Sequence, residues 1–166
     1  GSLSQGTHTL RLVCDASGVV AESDEGDNEY TKTIMVGAAT PTRFYTATPC
    51  RLFDTRNASG ADAGSPILGG GETRALTVGG RCSVPSGAKS LSVNVTVTGP
   101  AAAGDFLLFR GDLATAPTAS SLSFRPGKTR ANNSILELSR DGSGTFKVWN
   151  NSAGAAHFIL DVNGYF

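Results

Sequence analysis

The chain has 166 residues, 14 basic and 14 acidic, with 39% hydrophobic and 17% charged residues. A formal net charge of zero leaves no basic footprint for a phosphate backbone or an anionic membrane surface, which argues against nucleic-acid binding, and no run approaches the roughly 18 to 20 apolar residues that cross a bilayer. The length admits one large domain or two small ones, and 21 Gly beside a single Met disfavour helices, whose interiors lose about 1 kcal/mol at each Gly.

In chain order, short apolar runs predict strands at Thr9 to Cys14 and Tyr30 to Val36, then a break of small residues and proline, Gly37-Ala-Ala-Thr-Pro-Thr-Arg43, that reads as a linker. Further strands are predicted at Glu72 to Val78, Ser90 to Thr98, Asp105 to Phe109, Ser120 to Phe124, Ser134 to Leu138, Thr145 to Trp149 and His157 to Val162. Ser90 to Thr98 is the clearest: Leu91, Val93, Val95 and Val97 take one face, Ser92, Asn94 and Thr96 the other. Turns are expected at Asp15-Ala-Ser-Gly18, Asp141-Gly142 and Asn150-Asn151. Strands spaced by about 8 to 12 residues imply an antiparallel β-sandwich, jelly-roll or immunoglobulin-like. Residues 1–36 are too few to bury a core of their own, so they read as part of a second module, with 37–43 as linker and 44–166 as a domain of ordinary size.

The N-terminal piece, with Gly6-Thr-His-Thr-Leu10, Arg11-Leu-Val-Cys-Asp15, Gly18-Val-Val-Ala-Glu22 and Ser23-Asp-Glu-Gly-Asp-Asn28, resembles the end of a CARDB module, the bacterial cell-adhesion-related domain. Asp27 and Glu29 depart from that pattern. The resemblance covers Ser4 to Val36 and implies the last three strands of an immunoglobulin-like sandwich. The larger segment, Arg43 to Phe166, carries Phe44-Tyr-Thr-Ala-Thr-Pro-Cys-Arg-Leu-Phe-Asp-Thr-Arg56, Gly79-Gly-Arg-Cys-Ser-Val-Pro85, the strand Leu91 to Gly99 and the closing His157-Phe-Ile-Leu-Asp-Val-Asn-Gly-Tyr-Phe166. It resembles a repeat module of large secreted proteins of actinobacteria, acidobacteria and myxobacteria. That resemblance implies an extracellular setting and little chemistry. It also implies a Cys50–Cys82 disulfide, since both cysteines sit in these motifs, and such a bridge suits an oxidising compartment. Cys14, in phase with Leu10 and Leu12, is expected to be a buried free thiol.

No catalytic constellation emerges. A cysteine hydrolase needs a thiolate with a nearby His, and the two histidines are His8 and His157. Asp161 shares a strand face with His157, but an i, i+4 pair on a strand lies about 13 Å apart. No Gly-x-Ser-x-Gly elbow, zinc-ligand spacing or cofactor motif is present, so the chain is expected to act without a cofactor and without catalysis. Asp54 and Arg56 would share a face of an extended segment, either as a ligand-binding ion pair or as a structural bridge fixing Asn57 to Gly71. Asn94 and Asp161 lie within otherwise apolar strands; facing inward they would satisfy backbone groups more readily than bind a ligand, and Asn94 stands with Trp149 as a candidate ligand-binding residue. Glu22, Asp24, Glu25 and Asp27 offer hard oxygens to calcium, but their order does not match an EF-hand and a solvated acidic hairpin is the commoner case. Arg110-Gly111-Asp112 follows a strand and is expected to be coincidental. Trp149 alternates out of phase with Phe146 and Val148, so it either presents a ring to a sugar or is covered by a neighbouring strand.

The resulting expectation is a non-catalytic accessory, adhesion or spacer module of a secreted or cell-surface bacterial protein, with a carbohydrate-binding module attached to a hydrolase as the alternative. Residues 4–36 are expected to dock on a partner, foremost a second copy in a homo-oligomer or strand-exchanged dimer.

Overall fold

The computed structural model describes residues 4, 6–14, 28–36 and 42–166, and the chain divides into two compact units, Gly1–Pro41 and Thr42–Phe166. In the first unit β1 (Gly6–Val13) and β2 (Glu29–Val36) form an antiparallel hairpin. Its register places Leu12 opposite Tyr30, Leu10 opposite Lys32 and His8 opposite Ile34, so these residues share one face while Thr9, Arg11, Thr31 and Thr33 take the other. The apolar face is open: Leu12 is 62% exposed and Tyr30 61%. On the polar face Arg11 pairs with Glu29. Cys14 is unpaired, as expected, but exposed rather than buried, because two strands alone cannot cover the face it shares with Leu10 and Leu12. The third strand implied at Gly18 to Glu22 and the calcium candidates Glu22, Asp24, Glu25 and Asp27 lie outside the described residues.

The second unit is an all-β antiparallel sandwich. Its strands are β3 (Tyr45–Asp54), β4 (Thr73–Thr77), β5 (Ser90–Thr98), β6 (Gly104–Arg110), β7 (Leu122–Phe124), β8 (Arg130–Glu137), β9 (Thr145–Ser152) and β10 (His157–Tyr165), with one 3₁₀ turn at Arg81–Ser83. One sheet runs β3-β10-β5-β8 and the other β4-β9-β6-β7. First pairs with last, second with second-last, third with third-last, and the middle two with each other, alternating between sheets. This is a long hairpin rolled into a jelly roll, which decides between the two sandwich types expected.

Period-two alternation drives the packing. Leu91, Val93, Val95 and Val97 of β5, Phe158, Leu160 and Val162 of β10, and Phe106, Phe146 and Val148 of the opposite sheet form one buried cluster. Phe106 meets Phe158 edge-on at 5.6 Å and Phe124 at 5.0 Å, while Phe53 meets Phe146 at 5.9 Å. Such pairs add about 0.5 to 1.5 kcal/mol each beyond their burial.

Several strands differ from their sequence expectation. β3 shows no clean alternation because it is an edge strand, the place where a strand tolerates Pro49. β8 begins at Arg130 rather than Ser134, its polar start lying beyond the apolar signal. The turn expected at Asn150-Asn151 is instead strand, since β9 runs on to Ser152. There Asn150 is fully buried, its Nδ2 donating to the carbonyls of Leu68, Gly69 and Gly154.

Candidate functional site

The densest polar arrangement surrounds the end of β3, where Cys50 to Arg56 crosses from sheet to loop. Cys50 is bonded to Cys82 across 5.7 Å between Cα atoms and 32 positions of sequence, which ties β3 to the 3₁₀ turn. Next along the strand, Arg51 faces away from the core and reaches Asp161 on β10 with Nε to Oδ1 at 2.8 Å and Nη2 to Oδ2 at 3.4 Å. Its Nη1 turns back to Asp54 at 3.1 Å.

Asp54 is 1% exposed, and a buried carboxylate persists only with full compensation. Here Oδ1 accepts from the Arg56 backbone N–H at 3.0 Å and from Arg56 Nε at 2.9 Å, and Oδ2 accepts from Arg56 Nη2 at 2.6 Å. These hydrogen bonds from Arg56, more than the nearby charge of Arg51, hold the Asp54 carboxyl down at about 2. The pairing does not arise from an extended backbone. The strand ends at Asp54 and turns, with Asn57 N–H donating to the Asp54 carbonyl at 3.0 Å, and the turn folds Arg56 back over its own partner.

Thr55, also buried, accepts the Phe158 N–H on Oγ1 at 2.9 Å and lies 3.1 Å from His157 Nδ1. His157 and Asp161 are therefore held by different partners, and no hydrogen bond joins them. Arg81 stacks its guanidinium 4.6 Å from the centre of the Phe53 ring and donates to the carbonyls of Leu52 and Ala61. The loop after the motif is wired in turn: Asp54 N–H donates to the Asp62 carbonyl, and Arg74 to the carbonyls of Gly64, Pro66 and Ile67. Chemically, this corner is a set of donors and acceptors already matched to one another. Among the described residues no group of three or more His, Cys, Asp and Glu side chains is placed to hold a metal ion.

Asn94 and Asp161 face outward rather than inward, because Val93, Val95, Leu160 and Val162 occupy the core side of their strands. Register aligns Arg51, Asp161, Asn94 and Asn133 as one row across the four strands. Asn94 Nδ2 lies 3.4 Å from Thr96 Oγ1, so this row is a polar sheet face rather than a set of backbone partners. Beside it a cleft of about 410 Å³ is lined by Arg51, Asp62 and Asp161. A second cleft, of about 560 Å³, lies along the disulfide, Thr46, Thr48, Ser83 and Tyr165.

Trp149 belongs to the other sheet. It sits half-buried between Thr73 and Leu107 on the flanking strands, and Leu107 is only 2% exposed. Lys147, two residues earlier on the same face, donates from Nζ to the Leu113 carbonyl at 2.7 Å and ties down the loop after β6. Arg110 and Asp112 pair with each other at 3.2 Å, with side chains 18% and 28% exposed, so the two charges of the tripeptide are turned toward each other. Sequence reasoning missed Arg51, the link between Asp161 and Asp54; its place beside Cys50 on an outward position was the available signal. It also missed the Thr55 to His157 contact, which depends on a 102-residue separation that no local pattern reports.

No family model matches the chain, and no curated protein matches it. Among solved structures it is similar to the coat protein of Tobacco streak virus. The dimer structure has 16% identity over 60% of this chain and 81% of that one, with a TM-score of 0.36. A C2 crystal form has 14% identity over 74% and 87%, with a TM-score of 0.39. At these TM-scores the likeness carries no argument.

Proposed function

We propose that this chain is a non-catalytic accessory module, serving display, spacing or adhesion within a secreted or cell-surface bacterial protein. The observation that carries the reading is the Asp54 corner. Its charged groups are engaged with one another, so they act as scaffold rather than as a reaction centre. The disulfide supports an oxidising setting. The motifs that resemble a CARDB end and a secreted repeat module supply the bacterial surface context.

The partner proposed for residues 4–36 is a second copy. An open apolar hairpin face bearing Leu10, Leu12 and Tyr30 gains about 25 cal/mol for each Å² removed from water, and its strand edges invite pairing. The second reading is a carbohydrate-binding module of a hydrolase, favoured by the polar row through Asn94 and by the ring of Trp149. A glycan array separates the two. Display and protein-mediated adhesion predict no signal on neutral glycans, whereas a neutral-glycan signal abolished by W149A or N94A supports the carbohydrate module.

A further inference from the structure

The two sheets end side by side at β7 and β8, the last strands of their respective orders, and Asn132 Nδ2 donates across to the Ser121 carbonyl at 2.9 Å. Between them runs an open groove of about 540 Å³, lined by Ser120, Ser121, Ser123, Arg125, Arg130 and Asn132. The connection at its end, Arg125-Pro126-Gly127-Lys128, is a tight turn: Lys128 N–H donates to the Arg125 carbonyl at 3.2 Å and Gly127 has φ of 67°, the pattern of Pro then Gly in a type II turn. Two further contacts pin it. Gly127 N–H donates to the Pro100 carbonyl at 2.8 Å, and the Thr129 and Thr98 hydroxyls meet at 2.9 Å.

This rigid turn concentrates charge in a chain that is neutral overall. From Leu113 to Leu136 the sequence has no acidic residue but contains Arg125, Lys128 and Arg130. All three are exposed, and none joins an ion pair among the described residues, whereas Arg11, Arg51, Arg56, Arg74, Arg110 and Arg140 all do. Asp105, opposite Ser123 in register, lies 3.3 Å from Asn151 Nδ2. Two planar guanidinium groups match carboxylates with paired N–H donors, and three serines with one asparagine offer hydroxyl and amide partners for sugar hydroxyls. The groove opens to solvent rather than closing over its contents, so a polymer segment can lie across it. Phe124 is 5% exposed and gives no ring for base stacking, and three cations are few for a nucleic-acid backbone.

We propose that this groove binds an acidic polysaccharide through its uronate carboxylates, with Arg125 and Arg130 as the anionic subsites. The proposal deepens the accessory-module reading and rests on it. The test is calorimetric titration of the full chain with octagalacturonate, dextran sulfate, neutral dextran and oligo(dT), in low and moderate salt. Expected is octagalacturonate binding that weakens with salt and falls at least about tenfold in R125Q/R130Q, while R43Q/K89Q, which removes the same charge elsewhere, binds as the parent does. Absence of octagalacturonate binding at millimolar concentration, equal loss in both double variants, or tighter binding of dextran sulfate or oligo(dT) would overturn it. Reducing ends are counted in the same samples. Cleavage of the bound oligomer would overturn the non-catalytic reading while leaving the groove assignment in place.

Discussion

At the scale of single residues, two buried polar side chains do work that apolar neighbours cannot. Asp54 is ionised in the folded state because Arg56 donates three hydrogen bonds to it. Its carboxyl sits at about 2 against an ordinary 3.8, so it binds fewer protons folded than unfolded near pH 3. Its contribution, on the order of 2 kcal/mol, is therefore complete above about pH 5 and disappears as pH falls through about 2. Urea unfolding of the parent and of D54N across pH 2 to 7 should show a gap that closes at the acid end; a gap independent of pH would mean that the charge contributes nothing. Asn150, fully buried, donates its amide to the carbonyls of Leu68, Gly69 and Gly154, each of which also accepts from Ala156 N–H, Glu72 N–H or Ser152 Oγ, so N150L should lower stability by about 1 to 2 kcal/mol through the hydrogen bonds it removes. The same unfolding assay at neutral pH reads it. The pairing of Asp54 with Arg56 as a structural bridge was legible in the sequence, whereas the burial of Asp54 and the role of Asn150 were not. Asp54 could be paired with Arg56 by proximity, but its burial depends on the distant Phe158 strand, and Asn150-Asn151 looks locally like a turn.

At the scale of elements, legibility followed the regularity of the apolar pattern. β5 appears with the bounds its alternation predicts because one face is wholly core and the other wholly polar. β7 shrank to Leu122–Phe124 and β4 to Thr73–Thr77, since edge strands end where a neighbour's hydrogen bonds stop rather than where residue types change. The Cys50–Cys82 bridge came from motif placement rather than from any pattern of alternation, and it closes a loop whose chain-entropy effect is about 3 to 4 kcal/mol. C50S/C82S should lose roughly that amount in denaturant unfolding. Non-reducing peptide mapping should recover Cys50 joined to Cys82 and Cys14 as a thiol; a Cys14-linked peptide would refute the pairing. A tighter constraint lies at Gly104, where an added Cβ would sit 2.4 Å from Ser152 Cβ and 2.5 Å from the Asn151 carbonyl oxygen. G104A must therefore push β6 away from β9, and amide exchange in those two strands should accelerate more than elsewhere in the sandwich.

At the scale of the whole molecule, the division into a hairpin unit and a jelly roll separates two kinds of stability. The jelly roll buries its aromatic and aliphatic side chains in one cluster, whereas the hairpin leaves Leu12 and Tyr30 more than half exposed. Light scattering should accordingly find a dimer for the full chain and a monomer for a chain beginning at Thr42. Two monomers, with hairpin amides exchanging at random-coil rates, would exclude docking through residues 4–36. The claim on which the functional reading turns is that the charged groups around Asp54 and His157 hold the fold rather than perform chemistry. The most direct test is turnover by the purified full chain on chromogenic peptide, ester and glycoside panels, beside H157A and D161N. The account predicts rates indistinguishable from buffer for all three proteins; robust turnover by the parent that either substitution abolishes would contradict it.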